Sequence, residues 1–381
     1  MVSFFRAGWF AVILGTWLFS QGIAFASFTE HPDIFSYEDI HVRADQTIGK
    51  LILAKSNATV DGVVTDGIIV VDGNLLITST AKVKGTVIVL GGYVEHLEGA
   101  RLNKRIWNIT PYAFPMADIV VAGFIIMGAA SLVMVPLAIW LTARLLQNTF
   151  FYMRIKEQLF TLQQRYPALY IAAGLSVSGL MLLFFSEMAW ETLFRKTMDV
   201  FDNAFIWLVR YFASPTVDQV MIFITNLGYG YSYGIIAFLV FLLLAFGRRW
   251  HEITGLALCL AGGAALNSLL KHLFERARPD LFRVVEATGY SFPSGHAMIS
   301  LCFYGMLAFL IARNINSLSG RLVIISLTVL LVAAIGISRI YLGVHYPTDV
   351  VAGYTAGAMW LFCCISFLAW WERRRFVNRV P

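Results

Sequence analysis

Of the 381 residues, 58% are hydrophobic and 14% carry a formal charge, with a net charge of +6, against roughly 45–50% and about 25% in an ordinary soluble domain. This excludes a water-soluble globule of this size and calls for apolar runs of about 20 residues, each able to cross a ~30 Å hydrocarbon core. In a membrane chain the positive balance reports which loops stay in the cytoplasm and gives no reason to expect a nucleic-acid partner.

The N-terminus carries Arg6, an apolar run from Trp9 to Phe19, and Ala24-Phe25-Ala26 before Ser27. This pattern predicts a secretory signal peptide over residues 1–26, cleaved after Ala26, with an uncleaved signal anchor as the alternative. Either one exports the segment that begins at Ser27.

Residues 27–112 turn to short β-branched runs punctuated by Gly, Asp and Asn. Residues 67–73 and 85–91 lie 18 apart, and small/apolar pairs recur at Ala58-Thr59-Val60, Ala81-Lys82-Val83 and Ala100-Arg101-Leu102. A period of 18 to 23 residues with strand-like alternation predicts about three stacked rungs of a short parallel β-helix; a small antiparallel β-sandwich is the alternative. Over roughly residues 45–105 the segment resembles the polymer-forming, bactofilin-like β-helical repeats, which implies self-association or an envelope partner.

Seven apolar spans come next, at residues 117–143, 167–185, 231–246, 253–270, 297–311, 322–337 and 350–371. Basic residues gather in alternate connections: Arg144, Arg154, Lys156 and Arg165; Arg248 and Arg249; Arg313 and Arg321; and Arg373, Arg374, Arg375 and Arg379 in the tail. The positive-inside rule puts these four regions in the cytoplasm and the β-rich segment outside, in agreement with the signal peptide. The outer connection from Ser186 to about Tyr229 includes Phe201, Phe205, Ile206, Leu208 and Val209 among polar residues, so an amphipathic helix is expected there, along the outer interface or as a lid on the bundle. Cys259, Cys302, Cys363 and Cys364 all lie in apolar runs with no CxxC pair, which reads as burial and not as a disulfide framework or a metal site.

Three groups of polar residues interrupt this pattern, all on the outer face by the same alternation. The first runs from Lys271 to Arg278-Pro279, the second is Pro293-Ser294-Gly295-His296, and the third is Ser338-Arg339, His345 and Asp349. Lys271, Arg278 and Arg339 can neutralise phosphoryl oxygens, the guanidinium forks with paired hydrogen bonds. Ser294 and Gly295 lead into a helix whose first N–H groups face an anion. His345 and Asp349 are four residues apart, so the carboxylate can fix the tautomer and leave the other ring nitrogen to attack phosphorus. His296, beside the cradle, suits a general acid and base.

Together these pieces resemble the three-part signature of the type 2 phosphatidic acid phosphatases, the superfamily shared with vanadium haloperoxidases. The resemblance covers roughly residues 166–371 and implies a six-span α-helical core. It implies a phosphohistidine on His345 assisted by Asp349, leaving-group protonation by His296, and phosphate binding by Lys271, Arg278, Ser294, Gly295 and Arg339, without a metal or other cofactor. The domain plan is then a signal peptide over 1–26, an extracytoplasmic β-rich domain over 27–112 and a transmembrane span over 113–147. A cytoplasmic linker over 148–165, the phosphatase domain over 166–371 and a basic cytoplasmic tail over 372–381 complete it.

The reading is a multi-pass inner-membrane lipid phosphatase acting at the extracytoplasmic face, with undecaprenyl diphosphate as first choice of substrate and phosphatidate or phosphatidylglycerol phosphate next. Alternatives are a lipid phosphotransferase, a lipid A phosphatase, or an envelope scaffold whose β-helix self-associates. His272, Glu275, Arg276, Asp280 and Arg283 border the site, where a role in substrate choice is one reading and a surface position the other.

Overall fold

The computed structural model describes residues 31–103, 105–109, 118, 134–142, 144–146, 149–211, 213–280 and 283–377. The signal peptide lies outside these residues, as does most of the first expected span, of which residues 134–142 and 144–146 are helical. The described chain forms two units, one holding the β-rich residues together with Lys196–Tyr211 and the other the remaining helices.

In the β unit one sheet contains β1 (Ile34–Ser36), β3 (Thr47–Ala54), β5 (Val63–Val71), β7 (Lys82–Val83), β8 (Thr86–Leu90), β10 (Arg101–Leu102) and β11 (Ile106–Ile109). The other contains β2 (Ile40–Val42), β4 (Ala58–Val60), β6 (Leu75–Ile77) and β9 (Val94–His96). Every pairing among them is parallel, which makes the unit a solenoid and not an antiparallel sandwich. Ile34, Leu51, Ile68, Val87 and Ile106 form one column through the stack. Leu51, Ile68 and Val87 are fully buried, and so are Leu53, Val70 and Val89 two residues on, because alternate side chains of a strand point to the same face.

Corner contacts between successive turns span 17, 18 and 19 residues, which overlap the lower end of the expected period and fall short of its upper end. Ala58–Val60 and Ala81–Val83 are not equivalent positions on successive rungs. The first pairs with β2 and β6, whereas Lys82 and Val83 pair with β5 and β10 in the other sheet. Polar side chains stack at one corner, where Asp39 Oδ1 accepts the Asn57 N–H (2.7 Å), Asn57 Oδ1 the Asn74 N–H (3.0 Å), and Asn74 Oδ1 the Tyr93 N–H (3.1 Å). Lys55, Asp72 and Gly91 turn another corner with φ of 54, 54 and 75°. The Lys55 and Asp72 N–H groups there donate to Val71 and Leu90 carbonyls on the next turn, both at 2.8 Å.

The helices are α1 (Phe150–Arg165), α2 (Pro167–Trp190), α3 (Asp199–Arg210), α4 (Pro215–Asn226), α5 (Tyr231–Phe246), α6 (Trp250–Phe274), α7 (Gly295–Ala312), α8 (Leu318–Tyr341) and α9 (Pro347–Val377). Among the described residues six segments are long and apolar enough to cross a membrane: Ala172–Arg195, Pro215–Phe246, Trp250–Phe274, Gly295–Ala312, Leu318–Tyr341 and Pro347–Glu372. They correspond to the last six expected spans. The span expected from residue 231 begins earlier, at Pro215, where Ser214 caps α4 by accepting the Val217 N–H (3.4 Å). Gly230, at φ 127°, breaks the segment between α4 and α5, a conformation glycine adopts without a Cβ penalty.

Leu256, Cys259, Cys302, Phe303, Met306, Ile335 and Leu368 fill the centre of the bundle. Leu239, Leu243 and Phe246 of α5 face outward, as lipid-facing positions do. At one end Arg313 bridges Glu252 of α6 and Glu372 of α9. The expected amphipathic helix exists as α3, in the β unit: Ile206 and Asp202 are buried and the Trp207 ring meets Phe35 of β1 edge-on at 6.3 Å.

Because each turn is stabilised by its neighbours, Leu53→Ala should open the solenoid, at a cost of about 2–5 kcal/mol for a fully buried leucine. Limited proteolysis of the full chain in detergent should cut residues 31–109 faster in the variant than in the parent.

Candidate active site

Glu275 ends α6 in the left-handed region (φ 46°), its N–H bonded to the Lys271 carbonyl at 3.0 Å. The chain is thereby released into the segment that carries Arg276 and Arg278. Lys271 Nζ donates to the Tyr290 carbonyl. Arg278 donates from Nε to Gly289 O (3.0 Å), from Nη2 to Thr288 O (2.9 Å) and from Nη1 to Val344 O (2.8 Å). Two cations thus hold the 288–290 backbone, and one of them also reaches the residue before His345.

Ser294 precedes α7 with extended backbone but does not cap it through its side chain. Its N–H donates instead to the Asp349 carbonyl at 2.9 Å, and the helical ladder starts with Met298 N–H to Ser294 O (3.0 Å). The N–H groups of Gly295, His296 and Ala297 precede that ladder, as first-turn donors do. Asn267 of α6 supports the turn, its Nδ2 donating to Pro293 O at 3.4 Å. A Cβ at Gly353 would lie 2.5 Å from Ser294 O, so α9 meets the start of α7 backbone to backbone.

His345 is 2% exposed and Asp349 fully buried. Asp349 Oδ2 faces His345 Nδ1 at 3.5 Å and accepts the Tyr346 N–H at 2.9 Å. Arg278 Nη1 lies 3.4 Å from His345 Nε2. A guanidinium only donates, so Nε2 accepts and the ring proton sits on Nδ1, toward the carboxylate. Burial pushes His345 down to about 4 despite the upward pull of Asp349, which leaves the imidazole neutral, with a lone pair on Nε2, at ordinary pH.

Arg339 of α8 donates from Nη1 to Thr225 Oγ1 at 3.0 Å. Its Nε and the Ser294 hydroxyl oxygen are buried without a hydrogen-bond partner in the chain, an expensive arrangement unless a ligand's oxygens engage them. His296 lies within electrostatic range of Arg339, His345, Arg278 and Lys271, and the Tyr229 ring stands 5.4 Å from its own. All eight sequence-predicted site residues therefore gather at one end of the bundle, away from the Arg313 bridges. A cluster of cations with unpaired polar atoms and a buried neutral imidazole suits a tetrahedral oxyanion such as a phosphoryl group.

The bordering residues divide. Glu275 accepts from Tyr290 Oη (2.7 Å), His272 bonds Ser268 O (2.8 Å), and Arg283 donates to Pro279 O (3.0 and 3.1 Å), all local contacts. Arg276 instead reaches inward, its Nη1 2.7 Å from Asp349 Oδ1 and 2.8 Å from Thr348 Oγ1, with the guanidinium 4.0 Å from the Tyr346 ring centroid. Thr225 and Asn267 are further supporting residues that sequence reasoning missed. Neither stands in a recognisable motif, and their partners are 114 and 26 residues away.

Residues 252–373 match the PAP2 superfamily. Phosphatidylglycerophosphatase B of Bacillus subtilis (strain 168) is 34% identical over 163 residues, which are 40% of this chain and 76% of that protein. The undecaprenyl-diphosphatase of Sulfolobus acidocaldarius is 31% identical over 170 residues, 42% of this chain and 73% of that protein. The crystal structure of a transmembrane PAP2 type phosphatidylglycerolphosphate phosphatase from Bacillus subtilis aligns at a TM-score of 0.45 and 25% identity, covering 54% of this chain and 98% of that one.

The native value of about 4 for His345 lies below the ~6.5 of a histidine in the unfolded chain. Between those values the unfolded state binds more protons, so stability falls as pH drops through 6.5 toward 4. Thermal melting should show the parent losing more of its Tm between pH 7 and pH 4 than His345→Asn, which lacks this titration.

Proposed function

The chain belongs to the PAP2 superfamily, and from that premise we propose that it is a membrane lipid phosphatase using a phosphohistidine intermediate. The observation that carries the reading is the buried, neutral His345, with its Nδ1 toward Asp349 and its Nε2 among the cations. In the first half-reaction Nε2 attacks phosphorus while the bond to the lipid oxygen breaks, and His296 gives that oxygen its proton. In the second, His296 takes a proton from water, the water oxygen attacks phosphorus, and the N–P bond breaks to release inorganic phosphate. Lys271, Arg278, Arg339, Ser294 and the backbone at Gly295 hold the three equatorial oxygens, which stabilises the charge that phosphoryl transfer develops.

Spans around such a site let an acyl or isoprenoid tail remain in lipid while the headgroup enters. Undecaprenyl diphosphate is the first choice of substrate, with phosphatidylglycerol phosphate or phosphatidate next. Similarity to proteins named for undecaprenyl-diphosphatase and phosphatidylglycerophosphatase activity supports this range.

The site and the β domain are extracytoplasmic and the membrane is the inner one. What supports this is that Arg248, Arg249 and Arg313, in connections, and Arg321, in the first turn of α8, lie at the ends of α5 to α8 remote from His345, the ends that basic residues keep in the cytoplasm. The proposed domain order is the one read from the sequence, from signal peptide to basic cytoplasmic tail, with the β domain offering a surface for self-association or an envelope partner.

Purified chain offered a panel of lipid phosphates in chelator should release inorganic phosphate, and His345→Ala should abolish the release. Lys271→Ala or Arg278→Ala should lower kcat by about 10²–10³, the usual cost of one charge-stabilising donor. Turnover retained by His345→Ala refutes the mechanism. A cysteine introduced at Gly289 should label from outside intact cells, whereas protection there reverses the orientation.

A further inference from the structure

The Asp349 carboxylate serves two partners. Oδ2 faces His345 Nδ1 at 3.5 Å and accepts the Tyr346 N–H, whereas Oδ1 is 2.7 Å from Arg276 Nη1. Arg276 is itself held from two further sides, by Thr348 Oγ1 at 2.8 Å and by the Tyr346 ring at 4.0 Å. We infer that Arg276 is a positioning residue: it acts through Asp349, so that the carboxylate orients His345 without drawing a second proton onto it. The inference rests on the roles proposed above for His345 and Asp349.

The physical argument is one of balance. A bare carboxylate beside a buried imidazole favours the imidazolium, and an imidazolium has no lone pair on Nε2 with which to attack phosphorus. Among the described residues, Lys271 of α6, Arg278 of the following segment, Arg339 of α8 and His296 of α7 are the other titratable or charged groups around His345 and Asp349. Those three cations have the phosphoryl oxygens as their proposed partners. Arg276 is the cation hydrogen-bonded to Asp349, and its hydrogen bond to Thr348 and its stacking on Tyr346 keep the carboxylate plane from turning away from His345. Removing it leaves a buried charge partly uncompensated and makes His345 easier to protonate.

The test compares Arg276→Gln and Arg276→Lys with the parent on one lipid phosphate across pH, taking the ratio of variant to parent kcat/KM so that substrate ionisation cancels. Arg276→Gln should lower kcat roughly 10- to 100-fold, as loss of a group orienting a catalytic ligand does, with KM close to that of the parent. Its ratio should fall further as pH drops below that of a free imidazole. Arg276→Lys keeps the charge without the fork and should show a smaller loss with a ratio flat in pH, which also serves if the glutamine variant does not fold. Parent-like kcat in Arg276→Gln, or a loss that is flat in pH, overturns the inference while inactivity of His345→Ala leaves the proposed mechanism standing. Turnover by His345→Ala overturns both.

Discussion

Gly353 lets α9 approach the first turn of α7 until a Cβ there would lie 2.5 Å from the Ser294 carbonyl oxygen, and one turn on Gly357 stands in the same relation to Met298, at 3.0 Å from its carbonyl. Small residues four apart permit such backbone contact between helices in lipid, where apolar side chains gain nothing by exchanging lipid for protein. At the head of that contact the Ser294 N–H reaches the Asp349 carbonyl. One backbone hydrogen bond thereby ties the 293–296 turn to Asp349, whose carboxylate faces His345. If the helices stood a side chain apart, the donors at Ser294 and the proposed nucleophile could not address one phosphorus atom.

The cations face a related constraint. Lys271 and Arg278 are partly buried at the end of an apolar bundle, where an unpaired charge is costly. Their hydrogen bonds run to backbone carbonyls of 288–290 and Val344 instead of to carboxylates. Carbonyls satisfy the donors without cancelling the charge, so positive potential remains for a phosphoryl group while the loop is held in place. Asp349 is treated in the opposite way, with Arg276 as an ion-pair partner. The cluster therefore keeps its positive charge where the proposed phosphate would bind and balances its negative charge beside the proposed nucleophile.

The solenoid obeys other rules. Each turn pairs only with its neighbours, and both the hydrophobic column from Ile34 to Ile106 and the Asp39, Asn57 and Asn74 stack repeat along it. Its repetition was legible because the same residue types recur, and only the upper end of the expected period was too long. Ala58–Val60 and Ala81–Val83 look alike in sequence and occupy different sheets, since alternation reports which side chains point inward and not which sheet a strand joins. The start of the span at Pro215 was obscured for a related reason: Asp218 is polar by type, yet it accepts from Tyr341 of α8 at 2.6 Å and sits comfortably on α4.

Composition and periodicity alone determined that the chain is a multi-span membrane protein, because a run of about 20 apolar residues has few alternatives to a helix in lipid. They also singled out the polar residues on which the proposal rests, since charge is rare enough here that Lys271, Arg278, Arg339, His345 and Asp349 stand out. Only the tertiary structure decided how those residues share their charges. Arg276 reads as one more basic residue near a helix end until the fold brings it to Asp349, 73 positions away. Thr225, likewise, has no meaning until α4 meets α8. Such pairings depend on helix packing across long stretches of chain, and local residue patterns carry no record of which distant group will complete a hydrogen bond.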